Sequence, residues 1–160
     1  MRNTMNQNVY LKQYQKNNIE TATPAELFLI LFNALVNFVA KAKNAMEEAN
    51  IQDTHNNITK AQNILIEFVE TLDHSVSPEL AKNLESLYMY NIKLLTDANI
   101  KKDIKKLNES YKLLEGLRNT WREAMEIQKN SKSKEDSLED SYTSVRPSED
   151  ENYEGYEFDG

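Results

Sequence analysis

The sequence predicts an all-α fold: an antiparallel up-and-down four-helix bundle with a short N-terminal helical arm and a disordered acidic C-terminal tail. Three observations carry this. Only three Gly and three Pro in 160 residues leave few places to break a helix. Apolar residues recur at steps of three and four over four long stretches, which is the period of one helical face. The connections between those stretches are a few residues long, which favours antiparallel neighbours. A chain of this length supports one ordinary domain with a real core.

The stretch from Ser77 to Asn99 organises the rest. Ser77 can accept hydrogen bonds from the free N–H groups of a helix start, and Pro78 fits the first helical position, where its missing N–H costs nothing. Leu80, Leu84, Leu87, Tyr88, Asn91, Leu95 and Ala98 then share one face. Met89 and Ile92 lie off it, so the apolar surface is wider than one contact needs. Asn99 is expected to close the helix, since Asn enters the left-handed conformation more easily than most residues.

In chain order, residues 1–19 form an arm rich in Asn and Gln. Its Leu11 and Tyr14 are three apart and would share a face if the arm became helical. The arm reads either as a frayed end or as a short element docked on the bundle. Thr23-Pro24-Ala25-Glu26 is the sharpest local signal. It has the form of a capping box, with Thr23 as N-cap and Glu26 three positions later, and Pro24 begins the helix.

That helix is expected to run to about Ala49. Leu27, Leu31, Ala34, Phe38, Ala45 and Ala49 form one stripe, with Phe28, Phe32, Leu35, Val39 and Met46 beside it. Its first half is apolar on nearly every side. Either it sits centrally, or part of its surface waits for a partner. Residues 53–73 predict the next helix, with Asp53 as its cap and Ile58, Ala61, Leu65, Phe68 and Leu72 on one face. The last helix is expected from about Ile100 to Gln128, with Ile104, Leu107, Tyr111, Leu114, Leu117, Trp121, Ala124 and Met125 buried and its other faces charged.

Charge sets the tail apart. Residues 1–130 carry equal numbers of basic and acidic side chains, so the net charge of −7 falls in residues 131–160. Those residues lack a helical stripe and cannot bury enough surface to offset ordering entropy, which predicts disorder. The expected organisation is therefore an arm at 1–19, a bundle at 20–130 and a tail at 131–160.

The function classes narrow by elimination. Cys is absent, which removes disulfides, thiolate nucleophiles and Cys-based metal sites. The first 25 residues hold no apolar stretch of the kind a secretory signal needs. The longest uncharged run, Leu27 to Ala40, is shorter than the about 20 apolar residues of a membrane span, so a soluble cytoplasmic protein without membrane insertion is expected. His55 and His74 lie at a helix start and in a loop, and no Glu-x-x-His pairs of the di-iron kind occur. Lys101, Lys102, Lys105 and Lys106 cluster, but the domain is neutral and lacks the basic face of a nucleic-acid binder. No enzyme activity, cofactor or metal is expected.

Several motifs together resemble the FliS-type flagellar export chaperones. They are Thr23-Pro24 followed by Leu27 and Leu31-Phe32; Ala61, Ile64 and Leu72-Asp73; Leu84, Leu87-Tyr88, Tyr90, Leu94-Leu95 and Ala98-Asn99; then Leu113-Leu114 and Trp121. The stretch from Leu84 to Tyr90 leading to Ala98-Asn99 is the most specific. The chain departs from the pattern at Ala34-Leu35, where Gly-Ala is frequent, at Asn91 and at Ser77-Pro78. The acidic tail has no counterpart in it.

The resemblance implies a cytoplasmic chaperone that binds the C-terminal segment of flagellin, prevents premature polymerisation and assists delivery to the export apparatus. It further implies that Tyr14, with Leu11 before it, takes part in handover at an export gate component. On pattern alone, a non-catalytic adaptor binding another amphipathic helix is the alternative. The residues off the central stripes that are expected to contact the client are Phe28, Leu35, Met89 and Ile92, with Asn91 offering a polar group to its backbone. The oligomeric state is left open.

Overall fold

The computed structural model describes residues 21–145, which hold four helices: α1 Pro24–Glu47, α2 Ile51–Thr71, α3 Pro78–Lys101 and α4 Ile104–Val145. The chain divides into two units, Met1–Glu123 and Ala124–Gly160, and the division falls inside α4.

The start of α1 is the capping box read from the sequence. The Glu26 N–H donates to Thr23 Oγ1, and the Thr23 N–H donates to the Glu26 carboxylate, both at 3.2 Å. The α1–α2 corner is tighter than expected. Ala49 turns into the left-handed region at φ 57°, and the Asn50 N–H reaches back to the Ala45 carbonyl at 2.8 Å. Asn50, not Asp53, then caps α2. Its amide oxygen accepts from the Asp53 N–H, and its amide nitrogen donates to the Asp53 carboxylate at 2.9 Å. An Asn can both donate and accept, so Asn50 takes the cap and leaves Asp53 as its reciprocal partner three positions on.

Two further ends differ in detail. Ser77 stands at the N-cap of α3, but its hydroxyl makes no cap bond; its carbonyl accepts from the Ala81 N–H at 2.9 Å. The helix closes at Lys102, which adopts φ 50°, rather than at Asn99. Asn99 is drawn into a bond with the His55 ring of α2 at 2.9 Å and accepts one from the Lys102 ammonium at 3.0 Å. Asp103 begins α4 by accepting from the Lys105 N–H.

Contacts between sequence-adjacent helices run in opposite senses. Phe28 of α1 meets Phe68 of α2 while Lys60 lies over the Phe38 ring. Phe68 meets Tyr88 of α3 while His55 meets Asn99. Tyr90 of α3 reaches Glu109 of α4 while Asp97 pairs with Lys106. The ring is closed between α1 and α4 by Phe28 against Trp121 and by Arg122 donating to Asn33. The bundle is therefore up-and-down and antiparallel, as the short connections require.

Its core is Phe32, Leu35, Val36, Val39 and Ala42 of α1; Ile58, Ala61, Leu65 and Phe68 of α2; Tyr88, Leu95 and Ala98 of α3; Leu107 and Leu114 of α4. It follows the expected stripes in part: Leu27, Ala49, Leu80, Trp121 and Ala124, expected on them, are exposed, and Val36 and Ala42 join the core from outside them. By length and composition alone α1 is apolar enough to cross a membrane, because a window that admits a charge or two is longer than its uncharged run. The same helix supplies five residues of this core, and the core helix of a soluble protein passes the same test.

Within the expected tail, residues 131–145 differ from the expectation of disorder. Residues 131–145 continue α4 as helix, and positions 126–144 are exposed. They contain no Gly or Pro, and straight-chain Lys and Glu lose little rotamer freedom in a helix. Lys132 also stands three and four positions ahead of Glu135 and Asp136, at helpful ion-pair spacings. Residues 146–160, where the expected tail continues, lie outside the described residues.

Candidate protein-contact edges of the bundle

The seven residues singled out from the sequence separate into four groups. Leu11 and Tyr14 lie outside the described residues. Leu35 is fully buried among the core residues, so it offers no surface. Its position beside the α1 stripe reads as off-face only while one neighbour is considered; α1 packs against both α2 and α4, and the wider stripe is needed for that.

Asn91 is fully buried too. It donates to the Leu87 carbonyl at 2.9 Å, and its amide oxygen accepts from the Ser110 hydroxyl of α4 at 2.9 Å. Both ends of the amide are thus engaged inside the bundle. Phe28 is half-buried in an aromatic cluster, 4.5 Å from Phe68, 5.0 Å from Trp121 and 5.7 Å from Phe32 between ring centroids.

Met89 and Ile92 remain at the surface side of α3. Met89 is 52% exposed, and Ile92 is half-buried against the core. Three apart on one helix, they share the edge that faces α2. That edge is fastened by Gln62 of α2, whose amide donates to the Ile92 carbonyl at 3.2 Å and to the Thr96 hydroxyl at 2.8 Å. Ile66, one helical turn beyond Gln62 on α2, is 44% exposed. Sequence reasoning missed Ile66, although it carries the same signal as Met89: an apolar residue outside the stripe Ile58, Ala61, Leu65, Phe68.

A second apolar edge lies where α3 faces α4. Tyr90 and Leu113 are exposed there, Leu87 is half-buried, and the Tyr90 hydroxyl donates to Glu109 at 2.6 Å. That bond to a carboxylate raises the Tyr90 pKa above the usual phenol range. On α1, Leu27 and Ile30 are exposed, and half-buried Phe38 has the Lys41 and Lys60 ammonium groups over its ring at 5.8 and 5.5 Å. The cations leave this apolar strip bordered by positive charge.

The polar groups, by contrast, are spoken for. Among the described residues, no buried side-chain nitrogen or oxygen lacks a hydrogen-bond partner. No group of three or more His, Cys, Asp or Glu among them could hold a metal ion. His74 faces Glu85 at 3.8 Å, and His55 is engaged by Asn99.

A helical bundle with a satisfied interior and apolar side chains left along its helix edges has the form of a protein-binding module. Residues 6–128 match the family model of the flagellar protein FliS. Flagellar secretion chaperone FliS of Bacillus subtilis is 34% identical over 116 residues, covering 72% of this chain and 86% of the relative. FliS of Campylobacter jejuni is 30% identical over 119 residues, covering 74% and 93%. FliSB of Pseudomonas aeruginosa, also a flagellar secretion chaperone, is 36% identical over 115 residues, covering 69% and 91%. The chain belongs to the FliS family of flagellar secretion chaperones.

Proposed function

We propose that this protein is a cytoplasmic, non-catalytic export chaperone that binds the C-terminal segment of flagellin, keeps it from polymerising early and assists its delivery to the flagellar export apparatus. The carrying observation is the pair of apolar edges flanking α3 in a chain of this family. Met89, Ile92 and Ile66 on one edge, with Tyr90 and Leu113 on the other, can receive successive apolar turns of an amphipathic client. Leu35 and Asn91 drop out of the contact set because their side chains are enclosed. Phe28 contributes through the half-exposed rim of its aromatic cluster.

A client that folds on such a surface loses conformational entropy, so it needs a long contact and not one deep pocket. Binding should bury on the order of 1,000–3,000 Å² and give a clearly negative heat-capacity change. The arm residues Leu11 and Tyr14 are proposed to take part in handover to an export gate component.

The test is calorimetry with a peptide from the flagellin C-terminus, run on the parent, Met89→Ser and Ile66→Ser. Both variants should bind several-fold more weakly while melting at nearly the parent temperature. Equal affinity in both would place the contact elsewhere. No binding of the peptide by the parent would favour a different helical partner.

A further inference from the structure

The last 22 residues of α4, Ala124–Val145, continue as helix well past residue 128, where the family match stops, so residues 129–145 lie outside what the family shares. The absence of Gly and Pro permits a helix here but does not by itself hold one without tertiary packing. The segment is polar almost all round, and such a helix needs many favourable side-chain pairs or a partner. Its own pairs are poor. Glu135 with Glu139 and Asp136 with Asp140 set like charges four apart, which destabilises a helix. Among the described residues no ion pair forms within the segment.

The charges are sorted along its length. Residues 124–134 carry Lys129, Lys132 and Lys134 against one acid, Glu126; residues 135–145 carry Glu135, Asp136, Glu139 and Asp140 and no base. Beyond Met125 the apolar residues keep to one side. Ile127, Leu138, Tyr142 and Val145 are separated by steps of eleven, four and three, all of which return to the same helical face. Ile127, Leu138 and Tyr142 are more than half exposed.

We propose that Ala124–Val145 is a self-association helix, pairing antiparallel with the same segment of a second copy of this chain. Antiparallel pairing about a two-fold axis near residues 134 and 135 lays the basic half of each helix on the acidic half of the other. Ile127 then lies opposite Tyr142 of the second copy, and Ser131 opposite its Leu138. Lys132 falls between Glu135 and Glu139 of the other helix, relieving the like-charge pairs in both. A parallel pair would instead set acidic half on acidic half. The contact is isologous, so it closes at two copies. Its seam holds few apolar residues, so the dimer is weak and salt-sensitive.

Sedimentation equilibrium of the full chain tests this. At low ionic strength and about 100 μM, the mass should rise from the monomer's 18.6 kDa towards twice that value. Leu138→Asp should abolish the rise. The variant K129E/K132E/K134E and the variant E135K/D136K/E139K/D140K should each stay monomeric alone yet pair with one another on mixing. Because the chain has no native Cys, single-cysteine variants read the geometry. Lys134→Cys should form an intermolecular disulfide, whereas Ser144→Cys should not, its two copies being about 28 Å apart along the axis. A monomer under all conditions overturns the proposal, as does a dimer indifferent to Leu138→Asp and to both charge variants. Efficient cross-linking through Ser144→Cys overturns the antiparallel arrangement.

Discussion

The Asn91–Ser110 pair offers a sharp test of how the bundle interior is held. Both residues are fully buried, and a 2.9 Å bond joins the Ser110 hydroxyl of α4 to the Asn91 amide oxygen of α3. Ser110→Ala removes the donor and strands that oxygen away from water, at a cost of about 1–3 kcal/mol. Asn91→Leu is different. Leu has the same number of side-chain heavy atoms in the same branched shape, though its methyl groups need more room, and the freed Ser110 hydroxyl can turn to the carbonyl four residues back on its own helix, so the change should cost less than Ser110→Ala. The double variant Asn91→Leu/Ser110→Ala leaves no orphan and should be near the parent or above it. The coupling between the two positions is therefore expected at about 1–2 kcal/mol, seen as a Ser110→Ala penalty that vanishes in the Asn91→Leu background.

Urea unfolding followed by far-ultraviolet circular dichroism reads this, with a melting shift of roughly 4 °C per kcal/mol as a cross-check. Additive single-variant effects would refute the reasoning. So would a loss of flagellin-peptide affinity in Asn91→Leu without any change in stability, since that would give the amide to the client.

Four further outcomes follow from local geometry. Ala49→Gly should stabilise the protein by about 0.5–1 kcal/mol, because Ala49 sits at φ 57° where a Cβ is strained; thermal melting checks it. Thr23→Ala should cost about 1 kcal/mol by opening the capping box, with no effect on client affinity in the same calorimetric assay. Phe68→Ala should cost about 3–5 kcal/mol in urea unfolding, since its ring meets Phe28, Phe32 and Tyr88 at 4.5, 5.4 and 5.6 Å. Burial pushes the Tyr88 hydroxyl from 10.0 up to about 12, so its contribution is complete below pH 10 and is lost as pH rises towards 12; Tyr88→Phe should flatten that alkaline loss in a pH series of unfolding curves.

The bundle was legible because its elements obey local rules. The capping box at Thr23 and the stripe Ile58, Ala61, Leu65, Phe68 need no tertiary knowledge, and both appear as read. The helix ends were less legible where two residues compete for one task. Asn50 outbids Asp53 as a cap because an amide serves both partners, and Asn99 is diverted to His55 by a contact 44 positions away. The surface was least legible, because an off-stripe apolar residue can meet either water or another helix. Leu35 and Met89 both lie beside a main stripe on helices with two neighbours; only the directions of those neighbours put Leu35 inside and leave Met89 at the surface. The stripe Leu138, Tyr142 and Val145 is too thin to read as a packed face, which spoke against order beyond residue 130, yet no Gly or Pro between 131 and 145 interrupts the helix.

The order in which neighbours meet around the ring bears on how the chain folds as it is made. α1 is the most apolar of the four helices and emerges before the other three, and its first partner, α2, begins four residues after it ends. The stretch with the greatest tendency to aggregate thus meets its cover within a single helical hairpin, before α3 or α4 has been synthesised. Among the described residues, the α1–α4 seam, made by Phe28 with Trp121 and Asn33 with Arg122, joins the most distant parts of the sequence. Local pairings of this kind favour fast folding with little loop-closure entropy, and that seam should be the last to form.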